Sequence, residues 1–496
     1  MTRKLFKARE YEEKYSKEIT KEERPDFHLT PYVGWMNDPN GFSYYKDKYH
    51  LFYQYHPYDT NWGPMHWGHA VSEDLLHWEY LPVSLACDMP YDKDGVFSGS
   101  AVELDDGRHL LMYTGVKETQ VKRAKHPQVR QMQCIAIGDG KEYEKYENNP
   151  VIDETKLPKG ASLVDFRDPK IVKTSDNTFL AYMGSRDEQK SGQILVYESK
   201  DALNWKFKSV LIKNNGRLGT MWECPDVFEL EGYDVLLASP QDVTADQFEG
   251  LTGNVPLAAV GHIDKEAQKM HDEDFQVADY GMDFYAHQTV LSPDGRRIMI
   301  GWLQNWDSCS NRIPDTKWYG QMSVPRELHI KDGKLYQTPI KELENYRENQ
   351  VLKKDFVLQG QDQTIEGLEG RTIDTTFEIA LNEESFNKFE IKFASNANKN
   401  RFCSLLYRKD DNTITLDRLY SGTQRALMHQ KSCKLDDGAS TLKLRLVLDK
   451  YSAELFINDG QKVMSMSFYT ELDAQEITLS TDGKVKMSVE KYDLKM

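Results

Sequence analysis

Three short segments of this 496-residue chain place a carboxylate beside proline and close to an aromatic ring: WMNDPNG at Trp35 to Gly41, FRDP at Phe166 to Pro169, and WECPD at Trp222 to Asp226. Carboxylates held in fixed positions can act as nucleophile, general acid or general base. Each segment also has a plain structural reading. Asp-Pro and Asn-Gly both favour tight turns, because proline presets φ and Asn-Gly tolerates positive φ, so Asp38 could serve a turn alone. Arg167 and Asp168 could form a local salt bridge, and Glu223 could be a surface charge. Spacing bears on the choice. With FSGS at Phe97 to Ser100 and DFYAHQ at Asp283 to Gln288 included, polar marks fall at residues 38, 98, 168, 223 and 285, at intervals of 60, 70, 55 and 62. A near-constant step is what five similar units give if each turns one polar group into a shared cavity.

The elements between these marks fit such units. After Pro25 the chain consists of short aromatic and β-branched runs, such as YHLFYQYH, HLLMYTG, TFLAYMGS, QILVYES and RRIMIGWL, separated by Asp, Gly and Asn. These read as strands. SEDLLHWEY at Ser72 to Tyr80 recurs as SKDALNWKF at Ser199 to Phe207, 127 residues later. At roughly 40 to 65 residues per four-stranded blade, the copies lie two or three blades apart in a closed β-propeller. We therefore expect an all-β protein: a five-bladed β-propeller over residues 26–337, followed by a C-terminal β-sandwich over 351–496. Leu5, Ala8, Tyr11 and Tyr15, at helical spacing, predict a helical arm over 1–25. In TPIKELENYR, Thr338 as N-cap and Pro339 at the first helical position predict a linker helix over 338–350. Beyond it FEIKF, LKLRLVL and KVKMSVE alternate with period two, as sandwich strands do.

Composition narrows the partners. A formal charge of −16 and a pI near 5.4 argue against nucleic acid and anionic membranes, both of which need a basic footprint. No run approaches the roughly 18 apolar residues of a spanning helix, and the charged N-terminus lacks the apolar core of a secretory signal. Six scattered cysteines, with no CxxC pair and no Cys/His cluster at zinc spacing, point to free thiols in a cytoplasmic setting, with no metal and no cofactor. Oligomeric state is not legible.

Taken in order, WMNDPNG, WGPMHWGHAVSEDLLHW, FSGS, FRDP, MWECPD, DFYAHQ and WYGQMSVPREL closely resemble glycoside hydrolase family 32, the β-fructofuranosidases. The resemblance covers roughly residues 28 to 330, and the tail is similar to the family's usual second domain. It implies Asp38 as nucleophile, Glu223 as acid/base, and Asp168 as the carboxylate that holds fructose hydroxyls at the transition state, with Arg167 beside it. Trp35, Asn37, Gln54, Trp62, Phe97, Ser98 and Tyr285 would line the fructose subsite. His287, where proline or a small residue is commoner, and SVPREL in place of LPREL depart from the usual pattern without touching a carboxylate.

The chemistry of such a cleavage asks for the same set, because an oxocarbenium-like centre needs one carboxylate to attack or stabilise it and a second, protonated one to serve the leaving oxygen. His50, His56, His66, His69 and His77 lie in aromatic strand contexts that suit core histidines. Trp62 and Trp302, beside polar residues, fit a sugar platform. The expected partner is a small-molecule carbohydrate: sucrose or short fructo-oligosaccharides, with sucrose 6-phosphate hydrolysis or fructosyl transfer as alternatives. A propeller that only binds carbohydrate would be expected to lack one of the three carboxylates. Arg312 and Lys317 in NRIPDTKWYG are the candidates for a phosphate near the leaving group.

Overall fold

The computed structural model describes every residue except 120–127, 311, 313–314, 383–384 and 423–427; Asn311, Ile313 and Pro314 of the NRIPDTKWYG loop thus lie outside the described residues. Five antiparallel sheets form blades I to V. Their first strands are Gly34–Tyr45, Gly95–Glu103, Ala161–Lys173, Met221–Leu230 and Tyr285–Leu291. Each first strand packs against that of the next blade, and the fifth returns to the first. Closure is reinforced by Trp318–Tyr319, inserted within blade V, which pairs parallel to Gly34 and Trp35. The apolar runs read as strands are inner strands of these blades. Lys48–His56 and His109–Thr119, for example, are almost continuously buried because neighbouring blades cover both faces.

The repeated nonapeptide forms the same turn in blades I and III, between their third and fourth strands. Ser72 Oγ accepts the amides of Asp74 and Leu75, and Asp74 Oδ1 those of Leu76 and His77. In the second copy Ser199 accepts from Asp201, and Asp201 from Leu203 and Asn204. Leu75 and Ala202 take matching φ values of 69° and 60°. The sequence similarity encodes one hydrogen-bonded loop, two blades apart.

The helix at the N-terminus, Arg3–Tyr15, buries Leu5, Ala8 and Glu12 against the outer strand of blade I. Glu12 accepts the Val83 amide at 2.8 Å. No helix among the described residues is long and apolar enough to cross a membrane. The linker helix after blade V starts later than Thr338 and is a 3-10 helix. Thr338 and Pro339 instead end the strand Lys334–Pro339, paired with Glu327 and Arg326, and only a 3-10 turn follows at Lys341–Tyr346. Strand pairing satisfies backbone groups that an isolated short helix would leave open.

From Arg347 onward the strands build a β-sandwich. Its last strand, Glu476–Leu494, joins both layers by pairing first with Lys388–Ser395 and then with Ile373–Ala380. On Thr441–Asp449, Leu442, Leu444, Leu446 and Leu448 point into the sandwich core, while Val447 joins Phe456 and Val463 in packing on the propeller's Leu29, Val324 and Ile340. A buried charge cluster crosses the same seam: His28 lies 2.8 Å from Asp449 and 2.9 Å from Glu454, and Arg326 donates to Glu454 at 2.7 Å.

Candidate active site

All five first strands carry a β-bulge at the position of the sequence marks. Relative to the neighbouring strand, one extra residue is inserted between Met36 and Pro39, Phe97 and Gly99, Arg167 and Lys170, Glu223 and Asp226, and Tyr285 and Gln288. A bulge bends its strand and re-aims the side chain beside it. Asp168, Cys224 and Ala286 take positive φ there, at 61°, 49° and 53°. WMNDPNG is therefore not a hairpin turn but a bulged strand. Gly41, at φ 52°, is required because a Cβ would come within 2.6 Å of the Phe52 ring.

The bulges converge on one cavity of about 620 Å³ at the propeller axis, lined by Asp38, Asp168 and Glu223. Asp38 is clamped on both oxygens: Asn37 donates to Oδ1 at 3.0 Å and Ser98 Oγ to Oδ2 at 2.6 Å. Asn37 is set in turn by Trp35 Nε1 at 2.7 Å. Asp168 Oδ2 accepts the Cys224 amide at 3.0 Å. Glu223 receives Arg167 on Oε1, through Nε at 3.1 Å and Nη2 at 2.9 Å, and Gln241 and Tyr285 on Oε2 at 2.7 and 2.8 Å. The Cys224 thiol lies 3.6 Å from Asp38 Oδ2 and 3.7 Å from Asp168 Oδ2.

Burial dominates the electrostatics. It raises Asp38 above the ordinary aspartate range, with the charge of Glu223 adding and the Ser98 and Asn37 hydrogen bonds opposing. Asp168 is pushed up to about 7 by burial, with Arg167 opposing and the charges of Glu223 and Asp38 adding. Burial beside the same carboxylates lifts the Cys224 thiol well above its usual value, so it stays an S–H donor. Among the described lining residues the only cation, Arg167, faces seven acids: Asp38, Asp94, Glu118, Asp165, Asp168, Glu223 and Asp242.

Of the other expected residues, Asn37, Gln54, Trp62, Phe97, Ser98 and Arg167 line the cavity, whereas Trp35 and Tyr285 support it from behind, each 1% exposed. Trp62 is half exposed at the mouth, its ring 6.1 Å from that of Phe97 and nearly perpendicular to it. Trp302 is not a platform. It is fully buried against Trp35 and Trp306, and Trp306 is the ring that reaches the cavity. Lys317 is paired with Glu18 of the N-terminal segment, and Arg312 lies over the Tyr319 ring and donates to the Thr60 carbonyl. His287 is buried, and burial lowers its pKa to about 3, so it fills space as a neutral ring.

Sequence reasoning missed four groups. Asp165, which accepts from Arg167 at 2.9 Å, directly precedes FRDP, and Cys224 stands inside WECPD, so adjacency could have found both. Gln131 and Gln241 belong to no motif. They sit on the third strand of blade II and the second strand of blade IV and reach Arg167 and Glu223 only through the fold.

Comparison with known proteins agrees with this architecture. The family model described as glycosyl hydrolases family 32 N-terminal domain matches residues 28–339, and the family 32 C-terminal model matches 342–495. A sucrose-6-phosphate hydrolase of Zymomonas mobilis is 36% identical over 476 residues, spanning 92% of this chain and 88% of its own. A raffinose invertase of Escherichia coli is 34% identical over 462 residues, spanning 92% and 91%. The solved structure of a family 32 β-fructofuranosidase from Bombyx mori superposes with a TM-score of 0.82 at 32% identity, covering 99% of this chain and 98% of its own. With the family models matching residues 28–339 and 342–495 and a relative 36% identical across 92% of the chain, the chain belongs to glycoside hydrolase family 32.

Proposed function

We infer that the protein is a retaining β-fructofuranosidase acting on sucrose and related β-fructosides. The observation that carries this reading is the meeting of Asp38, Asp168 and Glu223, from three different blades, in one cavity, with Arg167 beside the last two. Asp38, held by Asn37 and Ser98, attacks the anomeric carbon. Glu223 gives a proton to the departing oxygen, then takes one from the water that releases fructose. Arg167 stabilises the ionised Glu223 that exists between those steps. Asp168, oriented by the Cys224 amide, accepts hydrogen bonds from fructose hydroxyls as positive charge develops on the ring.

The described lining carries seven acidic side chains and one cation, which favours an uncharged disaccharide over a phosphorylated one. The second reading, hydrolysis of sucrose 6-phosphate, is favoured by the name of the Zymomonas mobilis relative. A reducing, cytoplasmic setting fits the six cysteines, all unpaired. Steady-state kinetics on sucrose, sucrose 6-phosphate and kestose decide the substrate. We expect kcat/KM for sucrose 6-phosphate to exceed that for sucrose by less than about tenfold, and an advantage above about a hundredfold overturns the preference for uncharged sugar. Equal release of glucose and fructose at high sucrose marks hydrolysis; excess glucose marks transfer.

A further inference from the structure

The wall of the cavity beside Glu223 is lined by propeller residues, and the second domain braces the loop that holds two of them. If Glu223 is the proton donor, as the proposed function requires, the surface next to it that faces away from Asp38 receives the leaving group. Asn254 lines the cavity beside that surface, because its neighbours Gly253 and Val255 bond to Val243 and Pro240, on either side of the Gln241 that donates to Glu223 Oε2, and Trp306 lines the same cavity. Both are held by one loop. Asp307 accepts the Asn254 amide at 2.7 Å and its side-chain Nδ2 at 2.9 Å, and Asn305 donates to the Asn254 carbonyl at 2.9 Å. Ser308, next in the same loop, is buried and hydrogen-bonds through Oγ to Asp283 Oδ1.

The other oxygen of Asp283 belongs to the second domain. Arg418 of the sandwich pairs with Oδ2, and the Ser467 amide and hydroxyl donate to the same atom at 2.7 and 2.9 Å. Arg418 and Asp283 are both fully buried. The guanidinium is fixed from its far side by the Met428 carbonyl, which accepts from Nε and Nη2 at 3.2 and 3.1 Å, while the Nη1 that pairs with Asp283 also donates to the Ser467 carbonyl at 2.7 Å. A second strut runs alongside: Gln304 donates to Ser467 Oγ and to Tyr469, while its carbonyl faces the Tyr319 hydroxyl at 3.2 Å. Tyr319 stacks on Trp35, the ring that orients Asn37.

The bond from Ser308 to Asp283 Oδ1 carries the contact from the domain seam into the loop that bears Trp306. We propose that Arg418 is a positioning residue for the leaving-group wall, acting through Asp283 and Ser308 on the loop that carries Trp306 and Asp307. The β-sandwich thereby takes part in choosing which fructosides are cleaved, although it supplies no atom to the cleavage itself.

The test uses the full-length chain and two substrates that differ only in leaving group: sucrose, whose glucose reaches the wall, and methyl β-D-fructofuranoside, whose methoxy group does not. Ser308→Ala cuts the relay and leaves the Arg418–Asp283 pair in place. Arg418→Lys keeps the charge and loses the fixed geometry. We expect both variants to lose about tenfold in kcat/KM for sucrose, mainly through KM, and less than about twofold for the methyl fructoside. Equal losses on both substrates, or a lowered Tm with the sucrose KM unchanged, overturn the proposal and leave Arg418 as a domain fastener. Arg418→Ala, which strands a buried carboxylate, is expected to fold poorly and is not the deciding variant. Failure of the catalytic assignment is read separately, from Asp38→Asn, because the ratio between the two substrates does not depend on which carboxylate attacks.

Discussion

Arg167, on blade III, donates through Nε and Nη2 to a single oxygen of Glu223, on blade IV, while its Nη1 holds Asp165 at 2.9 Å. The guanidinium also lies 3.9 Å from Asp168. One cation thus ties the residue proposed as acid/base to the one proposed to hold fructose hydroxyls, so the charge state of either is felt by the other.

Asp38→Asn should fold normally and lose turnover by at least about 10³-fold, because an amide of the same shape cannot form the fructosyl ester. The amide keeps both contacts when its oxygen accepts from Asn37 Nδ2 and its nitrogen donates to the Ser98 hydroxyl, which can accept as well as donate. Retention of activity within about tenfold removes Asp38 from the nucleophile role. In the parent enzyme, NMR of the first product should show β-fructofuranose, the outcome of two successive displacements with the carboxyl groups about 5 to 5.5 Å apart.

Glu223→Gln should lose most of its activity on sucrose and far less on a fructoside whose leaving group needs no proton. The amide keeps the shape of the carboxyl group but cannot donate an acidic proton. Comparing kcat/KM on the two substrates measures this, and equal losses would falsify the acid assignment.

Asp168, with its pKa raised to about 7, must be ionised to hold a ring that is gaining positive charge. A carboxylate with a raised pKa is protonated as pH falls through that value. We expect kcat/KM on a fructoside with an activated leaving group to decline below about pH 7, well above the ordinary aspartate range. A profile flat down to pH 5 shows that Asp168 is ionised throughout.

The seam between domains should respond to pH through His28. Burial opposes its protonation, but the hydrogen bonds and charges of Asp449 and Glu454 prevail and raise its pKa to about 9. The unfolded chain releases this proton near 6.5, so the folded state binds more protons between the two values. The stabilisation is complete below about pH 6.5 and is lost as pH rises through about 9. Tm measured from pH 6 to 10 should therefore fall over that range in the parent and change less in His28→Gln, whose Tm is lower at pH 6. Parallel curves for the two proteins would show that His28 carries no such linkage.

How much of this was legible in the sequence depended on how local each feature is. A blade is a contiguous run of hairpins, so its strands, its Ser-x-Asp turn and the bulged residue of its first strand recur along the chain, and five marks at similar intervals exposed five blades and the three carboxylates. Features that rest on contacts between distant segments were not legible. Trp302 and Trp306 stand four residues apart in GWLQNWDS, and only blade packing decides that the first is buried behind Trp35 while the second faces the cavity. Thr338 and Pro339 carry helix-start chemistry, yet strand pairing with Glu327 and Arg326 outweighs it. Gln131, Gln241 and Arg418 have no motif around them at all. Gln131 and Arg418 find their partners 36 and 135 residues away, in another blade and across the domain seam, and Gln241 meets Glu223, 18 residues away, only through the register of their paired strands.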